Sequence, residues 1–279
     1  MSAESTGVSS TPQRSPSCST LTEVSHQTDP SERRYELSDF MPIGGTIGTG
    51  SFGAVQKVAH RGSADIFAMK VIQKSKIEEH RMTPYLFREV RTQLRLRHPH
   101  ILRLFYYFED GDAVHLLLEY ASEGSLFSLM RKRRRLTESE AAPIFAGVTS
   151  ALDHLHAHGI IHRDVKPENI LMCSGGVPKL ADFGWCAEVA DGGPRNTFCG
   201  TWDYLAPEMV SSESHGFSVD LWALGVLLHE VLLGSVPFVG KTQAETLAKI
   251  STADFRLPEA LAPLAGDLIR RLLVRERHK

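Results

Sequence analysis

The pattern of apolar and polar positions changes character twice along the chain. Up to about residue 34, large apolar residues are few and Ser, Thr, Pro and Gln dominate. Such a segment buries too little surface to offset its ordering entropy, so residues 1–34 are expected to form a disordered tail. From Ile43 to Ile72, β-branched and apolar residues broken by Gly clusters predict strands. Pro84 opens a helical stretch through Leu96, with Phe87, Val90 and Leu94 on one face. Strands are predicted again over Ile101–Phe108 and Ala113–Tyr120, joined by the hairpin signal Asp110-Gly111. After Gly124 the period becomes helical, over Leu126–Arg134, Glu138–His156 and Val219–Leu233. A β-rich part followed by an α-rich part predicts an α+β chain with two lobes and a cleft between them. The first lobe would span about residues 35–118, the connection 119–123 and the second lobe 124–279.

Composition narrows the classes. The 279 residues are 42% hydrophobic and 23% charged, ordinary values for a chain that buries a core. A net charge of -2 gives no global reason to expect nucleic acid or membrane as a partner. The apolar run Val219–Gly240 is interrupted by Asp220, His229 and Glu230, so a buried helix is expected rather than a membrane span. The N-terminus lacks a signal-peptide pattern. Cys18, Cys173, Cys186 and Cys199 form no Cys-x-x-Cys pair, which favours a reducing, intracellular compartment.

Five short motifs carry chemistry. Gly48-Thr49-Gly50-Ser51-Phe52-Gly53-Ala54-Val55 is a glycine hairpin whose backbone can approach phosphates closely. It continues as a strand rather than opening a helix, which argues against a dinucleotide fold. Ala68-Met69-Lys70-Val71-Ile72 places one lysine inside an apolar strand, a costly position without a partner. His162-Arg163-Asp164-Val165-Lys166-Pro167-Glu168-Asn169 sets an aspartate, a lysine and an asparagine at fixed offsets. Asp182-Phe183-Gly184 and Ala206-Pro207-Glu208 follow in order, and Asp220 lies inside the apolar helix.

In this order the motifs resemble the protein kinases. The resemblance implies a bilobal fold and transfer of the ATP γ-phosphate to serine or threonine, with Mg²⁺. Lys70 would hold the α- and β-phosphates and Glu89 would hold Lys70. Asp164 would orient or accept the hydroxyl proton, Lys166 would neutralise the γ-phosphate, and Asn169 and Asp182 would bind metal. The adenine would lie against Glu119–Ala121, lined by Val55, Ala68, Leu118 and Leu171. Glu168 would attract arginine before the phosphoacceptor. Phosphate on Thr197 would pair with Arg163 and order the loop. Thr201 would tie the loop floor to Asp164 and Lys166, and Asp220 would anchor the catalytic-loop backbone.

Several stretches are similar to the Aurora kinases in particular: Phe87-Arg88-Glu89-Val90, Arg97–Leu104, Leu118–Ala121, Trp185 after Gly184, and Thr197–Leu205. So is Gln93, one turn after Glu89, in a column expected to hold Leu104, Phe183 and His162. Ala206 and Tyr106 depart from the family pattern, and Tyr106 weighs against the A-type. The resemblance implies a role in cell division at spindle or chromosome, in cytoplasm and nucleus. It also implies basophilic protein substrates and an activator like the inner centromere protein. A Polo-like kinase is the rival family, without the tryptophan at 185. A pseudokinase scaffold is the rival class. The second lobe is expected to be incomplete, because the arginine that would pair with Glu208, after a helix read at Asp267–Val274, would fall past Lys279.

Three features stand outside this reading. His154, His156 and His158 allow a metal site, although the end of a helix is the simpler expectation. Arg131-Lys132-Arg133-Arg134-Arg135 is a docking or nuclear-import patch or a solvated helix end. Cys199 beside Thr197 could be redox-sensitive.

Overall fold

The structure is a computed structural model and describes residues 35–50, 53–80, 83–188 and 202–275. The first lobe is one antiparallel sheet of β1 (Phe40–Gly50), β2 (Gly53–His60), β3 (Ile66–Gln73), β4 (Leu104–Glu109) and β5 (Ala113–Glu119). Their order is β1-β2-β3-β5-β4. Side chains alternate across a strand, and β3 feeds two cores in that way. Ala68 and Ile72 join one buried cluster, and Met69 joins another with Phe40, Val58 and Leu117. Lys70 has the parity of Ala68 and Ile72, so it points to the face covered by helix.

That cover is α1 (Lys74–Glu79) and α2 (Thr83–Arg95). The only buried residue of α1 is Ile77, so no apolar period announced it. In α2 the fully buried apolar residues are Leu86 and Val90, while Phe87 and Leu94 are only partly buried. The stripe is thus turned about one residue from the expected one. It is turned so that Glu89 and Gln93 are buried as well.

Strand β4 begins at Leu104, three residues after the expected Ile101. The intervening segment pairs with the other lobe instead. Ile101 bridges Leu180 in parallel. Leu102 N–H donates to Leu180 O at 2.9 Å, and Leu180 N–H donates to His100 O at 2.8 Å.

The second lobe contains α3 (Leu126–Arg133), α4 (Glu138–Ala157), β6 (Ile160–Ile161), β7 (Ile170–Cys173), β8 (Val177–Leu180) and β9 (Ala187–Glu188). It continues with α5 (Pro207–Val210), α6 (Ser218–Leu233), α7 (Gln243–Thr252) and α8 (Pro263–Leu272). Helix α8 starts four residues before the expected Asp267, because Pro263 is pre-organised for a first turn. Helix α6 is buried on nearly all sides and forms the axis of the core. Its Trp222 ring stacks on Phe238 with centroids 5.3 Å apart. A Cβ on Gly225 would stand 2.8 Å from Leu272 Cβ, so this glycine lets α8 approach α6. Among the described residues no helix is long and apolar enough to cross a membrane.

Three imidazoles pack in a row. His98 lies 5.0 Å from His154, and His154 lies 4.4 Å from His158, centroid to centroid. His98 also meets Ser150 Oγ at 3.2 Å. Burial, then repulsion from His154, His100 and Lys179, lowers the His98 pKa, against Asp153. Burial and His158 lower that of His154, also against Asp153. Both folded pKa values lie below the unfolded one, so the unfolded chain binds more protons below about pH 6.5. The contribution is complete above that pH and is lost as pH falls toward the folded values. Melting temperature should therefore drop between about pH 7.5 and 5.5. The drop should be smaller in His98→Gln/His154→Gln, and an equal drop in both proteins would refute the assignment.

Candidate active site

The cleft between the lobes has a volume of about 540 Å³. Gly48, Thr49 and Val55 line it from the glycine hairpin, and Ala68 and Lys70 from β3. Leu118 and Glu119 line it from the end of β5 and Ala121 from the connection between lobes, and Glu168, Leu171 and Asp182 from the second lobe. The glycines have different reasons. A Cβ on Gly53 would fall 2.1 Å from Val71 O, so β2 and β3 could not close. A Cβ on Gly48 would meet nothing nearer than Val55 Cβ at 3.9 Å, so here glycine keeps the hairpin open above the cleft. Gly50 pairs with Gly53 across the hairpin, and Ser51 and Phe52 lie outside the described residues.

Lys70 Nζ donates to Glu89 Oε1 at 2.7 Å. Burial pulls the lysine pKa down, but Glu89 and Asp182 outweigh it and the net shift is upward. Lys70 therefore stands beside the two carboxylates as a fixed cation.

The segment from His162 to Asn169 is held from below by one carboxylate. Asp220 is fully buried. Its Oδ2 accepts His162 N–H at 2.9 Å and meets His156 Nε2 at 2.8 Å, and its Oδ1 accepts Arg163 N–H at 2.8 Å. Arg163 and Asp182 both have left-handed backbones, φ +67° and +63°, which non-glycine residues keep only where the surroundings over-determine them. For Arg163 the Asp220 contact supplies that restraint.

Above this support Asp164 is buried and doubly held. Lys166 Nζ lies 2.9 Å from its carboxylate, and Asn169 Nδ2 donates to Oδ2 at 2.7 Å and to the Asp164 carbonyl at 2.8 Å. The Asn169 amide nitrogen is thereby committed, leaving its oxygen as a donor atom for a cation. His162 Nε2 meets Ala181 O at 3.1 Å, and Asp164 N–H donates to Nδ1 at 3.3 Å. A carbonyl only accepts, so Nε2 carries the proton. Phe183 is fully buried, edge-on to His162 at 5.3 Å.

The donor set fits a phosphate-bearing ligand with a magnesium ion. Lys70 is a cation at the back of the cleft, and Asp182 and Asn169 offer hard oxygen atoms. No group of three or more metal-binding side chains occurs among the described residues. Two protein oxygens suffice for Mg²⁺, which keeps several waters and takes further ligands from phosphate.

Other expectations resolve differently. Gln93 lines the cleft, but its Nε2 donates to Leu102 O at 2.8 Å, so a buried hydrogen bond fixes it. His156 serves Asp220, while His154 and His158 belong to the stack on the opposite face, and the metal reading ends there. Arg163 Nε donates to Trp185 O at 2.8 Å, beside the segment that leads to Thr197. Arg195, Thr197, Cys199 and Thr201 lie outside the described residues.

Ile47, Ser125 and Ser128 line the cleft and were not foreseen. Ser125 caps α3, accepting Ser128 N–H at 3.2 Å, a signal the sequence did contain. Glu230 was noted only as an interruption of an apolar run. In the fold it accepts the Tyr204 hydroxyl proton in a short hydrogen bond. Burial raises the Glu230 pKa, Tyr204 opposes this, and Glu168 and Asp203 add to it.

Asp220→Asn replaces one acceptor by a donor facing buried N–H groups. It should cost about 2–4 kcal/mol and speed hydrogen exchange at the His162 and Arg163 amides. Unchanged exchange at both amides would show that the loop does not depend on Asp220.

The protein kinase domain family matches residues 42–279. Aurora kinase A-A of Xenopus laevis is 43% identical over 242 residues, covering 87% of this chain and 59% of the frog protein. Serine/threonine-protein kinase Aurora-1 of Arabidopsis thaliana is 42% identical over 247 residues, covering 88% and 83%. An Aurora kinase of Yarrowia lipolytica is 42% identical over 243 residues, covering 86% and 65%. The chain thus spans less than two thirds of the frog and yeast relatives and more than four fifths of the plant one. With a matching domain over most of its length, and these relatives, the chain belongs to the protein kinase family and, within it, to the Aurora kinases.

Proposed function

We propose that the chain is an ATP-dependent protein serine/threonine kinase of Aurora type. The observation that carries the reading is the buried Asp164 carboxylate, clamped by Lys166 and Asn169 on either side of Glu168, which lines the same cleft as the Lys70–Glu89 pair. When bound, ATP supplies the phosphoryl group and Mg²⁺ the charge that neutralises it. Asp182 and Asn169 would hold the metal, and Lys70 the phosphates. Asp164 would orient the substrate hydroxyl and take its proton at a carboxylate oxygen, and Lys166 would offset negative charge beside it. The glycine hairpin would cover the phosphates and keep water out.

Substrates with arginine before the acceptor are favoured by Glu168, Asp203 and Glu230. Glu168 and Asp203 push the Glu230 pKa up through repulsion, and a bound guanidinium relieves such repulsion. The chain's own Arg195-x-Thr197 fits this preference, so Thr197 would be phosphorylated in trans by a second copy and then pair with Arg163. The resemblance to the Aurora kinases motivates a role at spindle or chromosome, with an activator like the inner centromere protein.

Labelled ATP should transfer phosphate to a basic histone-tail-like peptide, and Asp164→Asn should lower turnover by at least about a hundredfold while the protein stays folded. In the same assay Glu230→Gln should raise KM for an arginine-bearing peptide about tenfold and leave its alanine counterpart unchanged. Equal turnover with Asp164→Asn would overturn the kinase reading. For the switch, wild-type protein made in bacteria should carry phosphate on Thr197 and Asp182→Ala should not. Phosphate on both would place the modification with another enzyme.

A further inference from the structure

The run Arg131-Lys132-Arg133-Arg134-Arg135 has no part in the site described, and all five residues are exposed. One of them is neutralised: Arg133 NH1 lies 2.6 Å from Glu140 Oε1. No other described carboxylate pairs with the run. Cations in a last helical turn complement the helix dipole, but the dipole is worth only about half a charge. Arg134 and Arg135 lie beyond the end of α3, so the dipole does not account for them.

The run is presented from a fixed backbone. Arg134 N–H donates to Met130 O at 2.6 Å, and Leu136 N–H donates to Val231 O at 2.8 Å. A Cβ on Gly234 would stand 2.9 Å from Arg134 O, so the turn rests directly on the end of α6. Leu136 is buried just after it. A loose tail would lose much of its electrostatic gain to ordering, and this run does not.

Its position is the second observation. The other end of α3 is at the cleft, where Ser125 and Ser128 line the wall, and α3 packs on the turn Pro167–Asn169. Arg131 follows Ser128 by three residues, roughly 5 Å along the helix. A chain with its acceptor at Asp164 therefore passes close to the helix that carries the run. The run covers one helix end, with Glu138 and Glu140 close by in sequence, a narrow footprint for a nucleic-acid backbone. Its first three residues are helical, unlike the extended chain of an import signal.

We infer that this run is a docking site for an acidic segment of the protein substrate, flanking the phosphoacceptor and separate from the arginine-binding carboxylates. The inference rests on the kinase reading, and its test separates the two. The acceptor peptide is compared with versions carrying six glutamates, or six glutamines as control, through a short linker at either end. The wild type should show a KM on the order of fivefold to tenfold lower for one glutamate version, a gain that high salt abolishes. The variant Arg131→Gln/Lys132→Gln/Arg134→Asn/Arg135→Gln should lose that gain, with an unchanged melting temperature and unchanged turnover of the short peptide. Asparagine is chosen at 134 because the φ of Arg134 is +68°. Binding of a labelled hexaglutamate peptide to both proteins, by fluorescence anisotropy, tests the surface even if no peptide is phosphorylated. Equal binding by wild type and variant, or a KM gain that survives in the variant, overturns the inference. So does a single-stranded oligonucleotide of equal charge that competes more strongly than hexaglutamate.

Discussion

The buried carboxylate of Asp220 is the constraint on which the site depends. Burying an isolated carboxylate is prohibitive, and α6 buries this one where α4 and the catalytic segment converge. It is tolerable because two backbone N–H groups and the His156 ring face its oxygens. The stabilisation runs the other way as well. Those two amides lie in a segment with no regular structure, and Arg163 has an unfavourable backbone angle. With Asp220 in place, the loop has a rigid floor, and Asp164, Lys166 and Asn169 can hold one another. The apolar surroundings of α6 make the charge expensive to move, and that fixes the loop.

A second ion pair couples this floor to the upper lobe. Lys70 is charged because Glu89 and Asp182 outweigh its burial. Glu89 belongs to α2, which also touches the chain beyond Gly184: Arg88 NH1 reaches Cys186 O at 3.5 Å, and Tyr85 meets Trp185 at 5.8 Å. Arg163 binds Trp185 O from the other side. A displacement of α2 would therefore disturb Lys70 and the segment after Asp182 together.

The site was legible where chemistry dictates spacing. Asp164, Lys166 and Asn169 meet through a single turn, and Lys70 finds Glu89 because strand parity and helix phase both aim at the same interface. What was illegible depends on tertiary approach. Glu230 looked like a blemish in an apolar helix, and only packing of α6 against the Trp202–Tyr204 turn joins it to Tyr204. Ile101 and Leu102 carry strand residues yet pair with Leu180 of β8, a partner that only the tertiary approach of the two lobes supplies. Helix α1 has one buried residue and therefore no period to read.

The three histidines of α4 show how far phase decides chemistry. His154 and His158 are four apart and share a face, so their rings meet, and His154 also stacks on His98. His156 lies between them in sequence and about 200° around the helix from either, facing α6. There it meets a carboxylate that also needs two amides, so its role is to complete the floor of the loop. The pair left behind are neighbours, and burial together with His158 lowers the affinity of His154 for a proton. One residue type at alternate positions therefore yields both a structural hydrogen bond and a pH-sensitive stack, and the 100° step of the helix separates them.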